Sequence, residues 1–350
     1  MAVSQDAVEQ LSEHLDLFHY LQPVNAEEER ERFFTAVDDG DTYNPSYQYR
    51  GFSDGGVCRE LLTEIEDAAE GRLEESMAAS LRSRLRMIEA IGSDEITERS
   101  AAHYGRPDAA LVDAARDQFE PPADGGGGEV DAAALQAAFT ALFDTLDVSY
   151  GCETGDTSII RNDPQAKRII VPADKEYGVT AAKRLLVHES THSVRTVNGM
   201  ETGELPLIYG TEGYEVAEEG IATFNERDVG VFEDTLPRIT ARVIAVDAAG
   251  QSFSSLYKTM RDLGLDQRTA FIRTYRVKRG LEDTARPGGF IKDHIYFQGC
   301  STLTDDPTLA DRLYAGKVAF DAVDSTTGDP RISRKAHLSA YEAATEQLAT

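Results

Sequence analysis

His188-Glu189-Ser190-Thr191-His192 is the stretch on which the reading of this chain turns. It lies in a segment whose pattern predicts a helix from Val179 to about Val197. Side chains four residues apart on a helix stand one turn above the other on the same face. His188 and His192 can therefore offer two imidazoles to one Zn²⁺, each at about 2.0–2.1 Å. Glu189 falls beside the position a metal-bound water would take, which is the HExxH arrangement of zinc hydrolases. Ala181, Ala182, Leu185, Leu186 and Val187 precede the motif and predict that the helix enters a core there. Buried histidines need polar partners, and a metal supplies one. Asn198-Gly199 reads as the left-handed stop of the helix.

Working outward, Ser158–Arg161 and Arg168–Val171 are β-rich runs around Asn162-Asp163-Pro164 and predict a hairpin. Pro172 ends the second run, which suits an edge strand. Such a strand beside the metal could bind an extended peptide by strand addition. A small sheet followed by an HExxH helix is the zincin order of elements, so the expected fold is α+β, predominantly helical and zincin-like. Upstream, residues 5 to about 37 read as helical with a break at Pro23, followed by a loop at Asp38–Asp41 and an extended aromatic stretch at Tyr43–Tyr49. Helical patterns then alternate from 57 to 120 with breaks at Gly71, Gly92-Ser93 and Arg106-Pro107. Pro121-Pro122-Ala123-Asp124 and the glycines 125–128 form the clearest linker, and a helix follows at about Asp131–Thr145. The expected organisation is an N-terminal helical region, 1–122, contributing to a substrate cleft, and a zincin-like catalytic domain, 129–350.

Hydrophobic residues make up 41% of the 350, enough for a substantial core. No run approaches the roughly 18 apolar residues of a transmembrane helix. The first twenty residues lack the basic and apolar regions of a secretory signal, so a cytoplasmic protein is expected. The 62 acidic residues outnumber the 35 basic ones for a net charge of −27, and only 8 of the basic residues are Lys. An acidic, lysine-poor surface spread along the whole chain suits a halophilic protein, because salt screens its self-repulsion. The same charge argues against nucleic acid as a partner. Cys58, Cys152 and Cys300 are isolated, with neither metal spacing nor a disulfide framework, which fits a reducing compartment.

Two histidines leave a tetrahedral zinc one protein ligand short. The HExxHxxGxxH solution fails, because Arg195 and Asn198 hold the positions of its Gly and third His. Cys300 is a distant possibility. The His₂Glu solution needs a glutamate on the next helix, which the segment Gly213–Glu226 supplies. Glu218 and Glu219 are both candidates, and at least two of Glu215, Glu218 and Glu226 read as a solvated acidic face. Gly220 after Glu219 would let helices pack closely at the metal.

Glu218-Glu219-Gly220-Ile221-Ala222 resembles the signature of the QEGLA-motif proteins, a family that includes the microtubule-associated tyrosine carboxypeptidases. The resemblance runs from about Leu21 to Gly299. Asn44-Pro45-Ser46-Tyr47-Gln48-Tyr49 is similar to the family's NPxFxY stretch, Thr191–Arg195 with Asn198-Gly199 to its THxxR…NG stretch, and Gly210–Tyr214 to its GxxGY lead-in. Arg276–Gly280, Gly288-Gly289, Lys292-Asp293 and Tyr296…Gly299 resemble its RxxRG…GG…KDxxYxxG block. The resemblance implies that Glu219 is the third ligand, with Glu218 at the Gln position. It also implies a zincin-type metallocarboxypeptidase that removes a C-terminal aromatic residue, tyrosine in the tubulin-acting members. The family pattern often has three residues between its glutamate and its second metal histidine (HExxxH). This chain has two, so its histidines stand four apart and converge on a regular helix without the bulge a five-residue spacing needs.

The expected enzyme thus holds one Zn²⁺ through His188, His192 and Glu219, and Glu189 acts as general base and acid. Tyr296 is the expected oxyanion donor, with His294 a weaker one. Arg276, Arg279 and Lys292 stand out in so acidic a chain as a clamp for the substrate's terminal carboxylate. Tyr47 and Tyr49 are expected to line the side-chain pocket. The expected partner is a protein or peptide C-terminus, with neither membrane nor nucleic acid. The rival readings are a zinc endopeptidase on unfolded peptides, which needs no carboxylate clamp, and a non-catalytic regulator that binds a polypeptide end.

Overall fold

In the computed structural model, which describes residues 2–121 and 129–348, the chain is predominantly helical with a small sheet, an α+β protein. All of the linker expected at 121–128 except Pro121 lies outside the described residues. The helices follow the sequence's own punctuation. Gln5–His14, Leu17–Leu21 and Ala26–Asp39 precede the extended Tyr43–Tyr49 stretch. Gly55–Ala68, Arg72–Ala90, Glu95–Tyr104 and Ala109–Asp117 are separated at the predicted breaks. Asp131 caps Ala132–Thr145, its carboxylate accepting from the Ala134 N–H at 2.8 Å. No described helix is long and apolar enough to cross a membrane.

Two units have their own internal packing. The first comprises Met1–Pro121, Thr211–Gly213 and Pro237–Gln298. Its core joins Phe33 and Tyr47 from the early chain to Phe253, Tyr257 and Phe271 from the late segment. Phe33 meets Phe253, Tyr257 and Phe271 with ring centroids 4.9–5.4 Å apart, distances at which edge-on aromatic pairs add to simple burial. The second unit comprises Pro122–Gly210, Tyr214–Leu236 and Gly299–Thr350 and holds the sheet and the motif helix.

That motif helix runs Val179–Thr202 and does not stop at Asn198-Gly199. Both residues are used in packing instead. The Asn198 amide donates to the Tyr314 and Ile332 carbonyls at 2.8 and 2.9 Å and accepts from the Ile332 N–H. Gly199 lies against the Leu205–Tyr209 turn, where a Cβ would come 2.3 Å from the Leu207 carbonyl oxygen. The left-handed cap is Gly203, at φ +69°. Gly199→Ala should therefore push that turn away and lower stability by about 1–3 kcal/mol. A thermal melt matching that of the parent chain would show that the turn yields freely.

The hairpin forms, but its first strand is Arg161–Asp163 rather than Ser158–Arg161. It runs antiparallel to Arg168–Pro172, with Asn162 opposite Ile169. Ile159 stays 69% exposed, so pairing there would bury nothing. The second strand is also not an edge. Gly151–Gly155, a polar segment without strand-like alternation, pairs parallel to its other side, giving the order Gly151–Gly155, Arg168–Pro172, Arg161–Asp163. Pro172 misled because a residue ending a strand can lack an N–H wherever the strand lies in the sheet. Ile169 and Val171 are fully buried, as a central strand demands. The edge beside the motif helix is Arg161–Asp163. A second pairing, two residues long, joins Val130–Asp131 to Glu176–Tyr177.

Candidate metal centre

The site lies within the second unit, between the motif helix and the helix Tyr214–Asp228. His188 and His192 stand one turn apart, ring centroids 4.8 Å from each other and planes at 83°. Their Nε2 atoms face one oxygen of Glu219, at 3.6 and 3.8 Å. The three ligand atoms lie within 4.8 Å of one another, the only such grouping of His, Cys, Asp and Glu among the described residues.

The other ring nitrogens are taken. His188 Nδ1 meets Glu226 at 2.6 Å and His192 Nδ1 meets Glu218 at 2.8 Å. Since a carboxylate only accepts, each Nδ1 carries a proton, which leaves Nε2 as the nitrogen each ring can offer to a metal. Outer carboxylates of this kind orient metal-binding histidines and raise their basicity. Each is anchored in turn. Glu218 accepts from the fully buried Arg195, whose Nε and Nη2 also donate to the Leu313 and Gly316 carbonyls at 2.8 and 2.6 Å. Glu226 accepts from the Thr235 hydroxyl.

Burial opposes charge on His188, Glu218 and Glu226, and specific partners outweigh it. Arg195 and His192 hold the Glu218 carboxyl below its ordinary range, and His188 does so for Glu226. Hydrogen bonding to Glu219 and Glu226, with Glu189 nearby, raises the His188 pKa well above that of a free imidazole. Carboxylates crowded around two imidazoles make a pocket for a cation, and the donor set of two nitrogens and one oxygen is one that Zn²⁺ accepts.

Local packing fixes these positions. A Cβ on Gly220 would lie 2.6 Å from the Gly299 Cα, so the helices Tyr214–Asp228 and Ile295–Asp305 touch backbone to backbone beside Glu219. On the motif helix, the Glu189 carbonyl accepts from Asn162 of the edge strand at 3.3 Å and from Ser193 at 3.0 Å. The Glu189 side chain is half-buried. Cys300 stands outside the donor set, buried, its thiol pushed up to about 12.

Of Glu215, Glu218 and Glu226, at least two of which the sequence reads as a solvated face, Glu226 is only 1% exposed. Its spacing of seven residues from Glu219, two helical turns, is the signal that puts both carboxylates on one face. Arg195 appears in the sequence only as the Arg of the THxxR stretch, with nothing nearby to indicate Glu218, 23 residues on, as its partner.

The remaining predicted residues belong to the first unit. Arg276 forks onto Asp293, with Nη2 to Oδ1 at 2.8 Å, and although burial opposes it this holds the Asp293 carboxyl far below the usual range. The Arg279 guanidinium lies 5.3 Å from the ring centroids of both Phe18 and Phe290, and its buried Nε and Nη2 have no hydrogen-bond partner among the described residues. Lys292 lies 5.4–5.8 Å from the rings of Phe18, Tyr104 and Tyr296. Arg242 and Arg273, which sequence reasoning passed over, enlarge this group. Arg242 sits 4.0 Å over the Tyr296 ring. Burial and the neighbouring Arg242 and Arg276 push Arg273 down to about 9. His294 is fully buried and pushed down to about 4 by that burial. Tyr47 is buried against Tyr275, and the Tyr49 hydroxyl accepts from Gly280 N–H and donates to the Leu281 carbonyl. Both border a cavity of about 620 Å³ within the first unit.

Comparison with known proteins gives a relative in Mus musculus, microtubule-associated tyrosine carboxypeptidase 1, which is 23% identical over 322 residues. That alignment covers 87% of this chain, and the chain spans 60% of the length of the relative. The family model described as microtubule-associated tyrosine carboxypeptidase matches residues 31–327, a span that holds the motif helix, Glu219 and the Arg276–Gly299 block. A match of that extent makes the chain a member of the microtubule-associated tyrosine carboxypeptidase family.

Proposed function

We propose that this chain is a zinc-dependent metallocarboxypeptidase of the zincin type, which removes a C-terminal aromatic residue, tyrosine first, from a protein or peptide. The observation that carries the reading is the convergence of two histidine Nε2 atoms on Glu219 while carboxylates occupy both Nδ1 atoms. Membership of the microtubule-associated tyrosine carboxypeptidase family supports the carboxypeptidase part.

His188, His192 and Glu219 would hold the ion. A zinc so bound lowers the pKa of its water toward about 7 and polarises a carbonyl oxygen. The chain's own groups do the rest. Glu189 accepts a proton from water as its oxygen bonds to the scissile carbonyl carbon, then returns it to the departing amine nitrogen as the C–N bond breaks. Glu218 and Glu226 keep the imidazoles in the Nε2-ligating tautomer, and Arg195 keeps Glu218 ionised. Arg279, with two unpartnered donors, and Lys292 are the groups suited to a free carboxylate. Arg276 serves by holding Asp293 among them.

The test pairs metal content with product analysis, at high salt to suit the acidic chain. Peptides ending in Tyr, Phe or Ala, free or amidated, are incubated with the metal-loaded protein and read by mass spectrometry. One zinc per chain and loss of a single aromatic residue from free-acid peptides alone is the expected result. Internal cleavage, or equal attack on amidated peptides, would replace the proposal with an endopeptidase.

A further inference from the structure

We propose that His337, on the helix Arg334–Ala344, is a positioning residue for the metal site, fixing the two residues between Glu189 and His192 and so the direction in which both imidazoles point. This rests on the metallopeptidase reading above. The helix lies beyond residue 327, where the family match ends, and within the same unit as the site.

Ser190 and Thr191, the two central residues of the motif, are fully buried. Ser190 Oγ is 2.7 Å from His337 Nε2, and His337 Nδ1 is 2.7 Å from the Tyr314 hydroxyl. Asn225 donates through Nδ2 to both Tyr314 and Thr191 at 2.9 Å, and accepts from Arg334 Nε at 2.8 Å. One proton order satisfies all of these contacts. In it Tyr314 accepts from Asn225 and gives its own proton to His337 Nδ1. His337 then carries its proton on Nε2 and donates to Ser190, whose hydroxyl donates to the Val187 carbonyl at 3.3 Å. Thr191 donates to the same carbonyl at 2.7 Å. Burial, with Arg334 nearby, keeps the imidazole neutral, its pKa pushed down to about 3.

The network spans the elements that build the site. Ser190 and Thr191 lie on the motif helix. Asn225 immediately precedes Glu226, which holds His188 Nδ1. Rotation of the motif helix would break the Ser190–His337 and Thr191–Asn225 bonds together, leaving buried polar atoms unpaired. The residues between the ligands thus set the helix's roll, and His337 is the group they are referred to.

The full chain and its His337→Leu, His337→Gln and Ser190→Ala variants would be compared for zinc affinity by chelator competition, and for melting of the metal-free protein. Losses of metal affinity on removing outer partners run to about 10–100-fold, and His337→Leu and Ser190→Ala are expected near the lower end. Gln can accept from Tyr314 and donate to Ser190, so His337→Gln should stay close to the parent. Nitrogen NMR should show the Nε2–H tautomer. A His337→Leu protein that melts earlier but binds zinc as the parent does would reduce His337 to packing and overturn the inference. Should His337→Leu fail to fold, unchanged zinc affinity in Ser190→Ala would overturn it equally. A parent chain that takes up no zinc would instead sink the metal reading itself, a result visible before any variant is made.

Discussion

Glu189→Gln is expected to bind zinc as the parent chain does and to hydrolyse peptides about 10²–10⁴-fold more slowly. Glu189 lies outside the ligand group of His188, His192 and Glu219, so a neutral amide there leaves the donor set whole. Its backbone is held by Asn162 and Ser193 through the carbonyl, a contact the substitution does not touch. What the amide lacks is a basic oxygen to take the proton from water. An interaction needed only in the transition state should lower kcat and kcat/KM together and leave KM unchanged. Steady-state kinetics on a peptide with a free C-terminal tyrosine, alongside metal content, would test this. A Gln variant that kept its turnover would remove Glu189 from the chemistry. A variant that lost its zinc would show that the carboxylate helps to hold the ion.

Arg195→Met should be the most damaging single change to stability, at about 3–5 kcal/mol. That is a large part of the roughly 5–15 kcal/mol by which folded domains exceed their unfolded states. Arg195 is fully buried and satisfies Glu218 together with the Leu313 and Gly316 carbonyls. Met fills similar space but leaves a buried carboxylate without its cation and these carbonyls without a donor. Adding Glu218→Gln would remove the stranded charge, so the double variant should recover part of the loss. Urea unfolding of the metal-free proteins would measure both. Equal stability of Arg195→Met and the parent would show that Glu218 finds its compensation elsewhere.

The residues of the candidate site are more legible in the sequence than their surroundings. HExxH is legible because it sets fixed residue types at a fixed spacing on one helix. The helix boundaries show where Gly and Pro punctuate, as at Gly71 and Pro107. Asn198-Gly199 has the composition of a stop, yet both residues are consumed by contacts with residues 207, 314 and 332, which no local pattern reveals. The central position of Arg168–Pro172 depended on pairing with Gly151–Gly155, a strand too short and polar to announce itself. Glu226 and Arg195 acquire their roles through partners 38 and 23 residues away, at His188 and Glu218. Nor does any pattern within Pro237–Gln298 indicate that this segment packs with the start of the chain.

That last packing arrangement bears on how the protein is made. The core joining Phe33 and Tyr47 to Phe253, Phe271 and Ile291 stays open until the late segment has left the ribosome. The second unit likewise waits for residues beyond Gly299. Neither half can be finished while the nascent chain is short, and a fragment cut at residue 129 would carry the late aromatic residues stripped of the early ones. Expression of 129–350 alone should therefore yield aggregated material. An N-terminal piece that stops at 121 would fare no better, and co-expression of both pieces is the better route to dissecting the molecule.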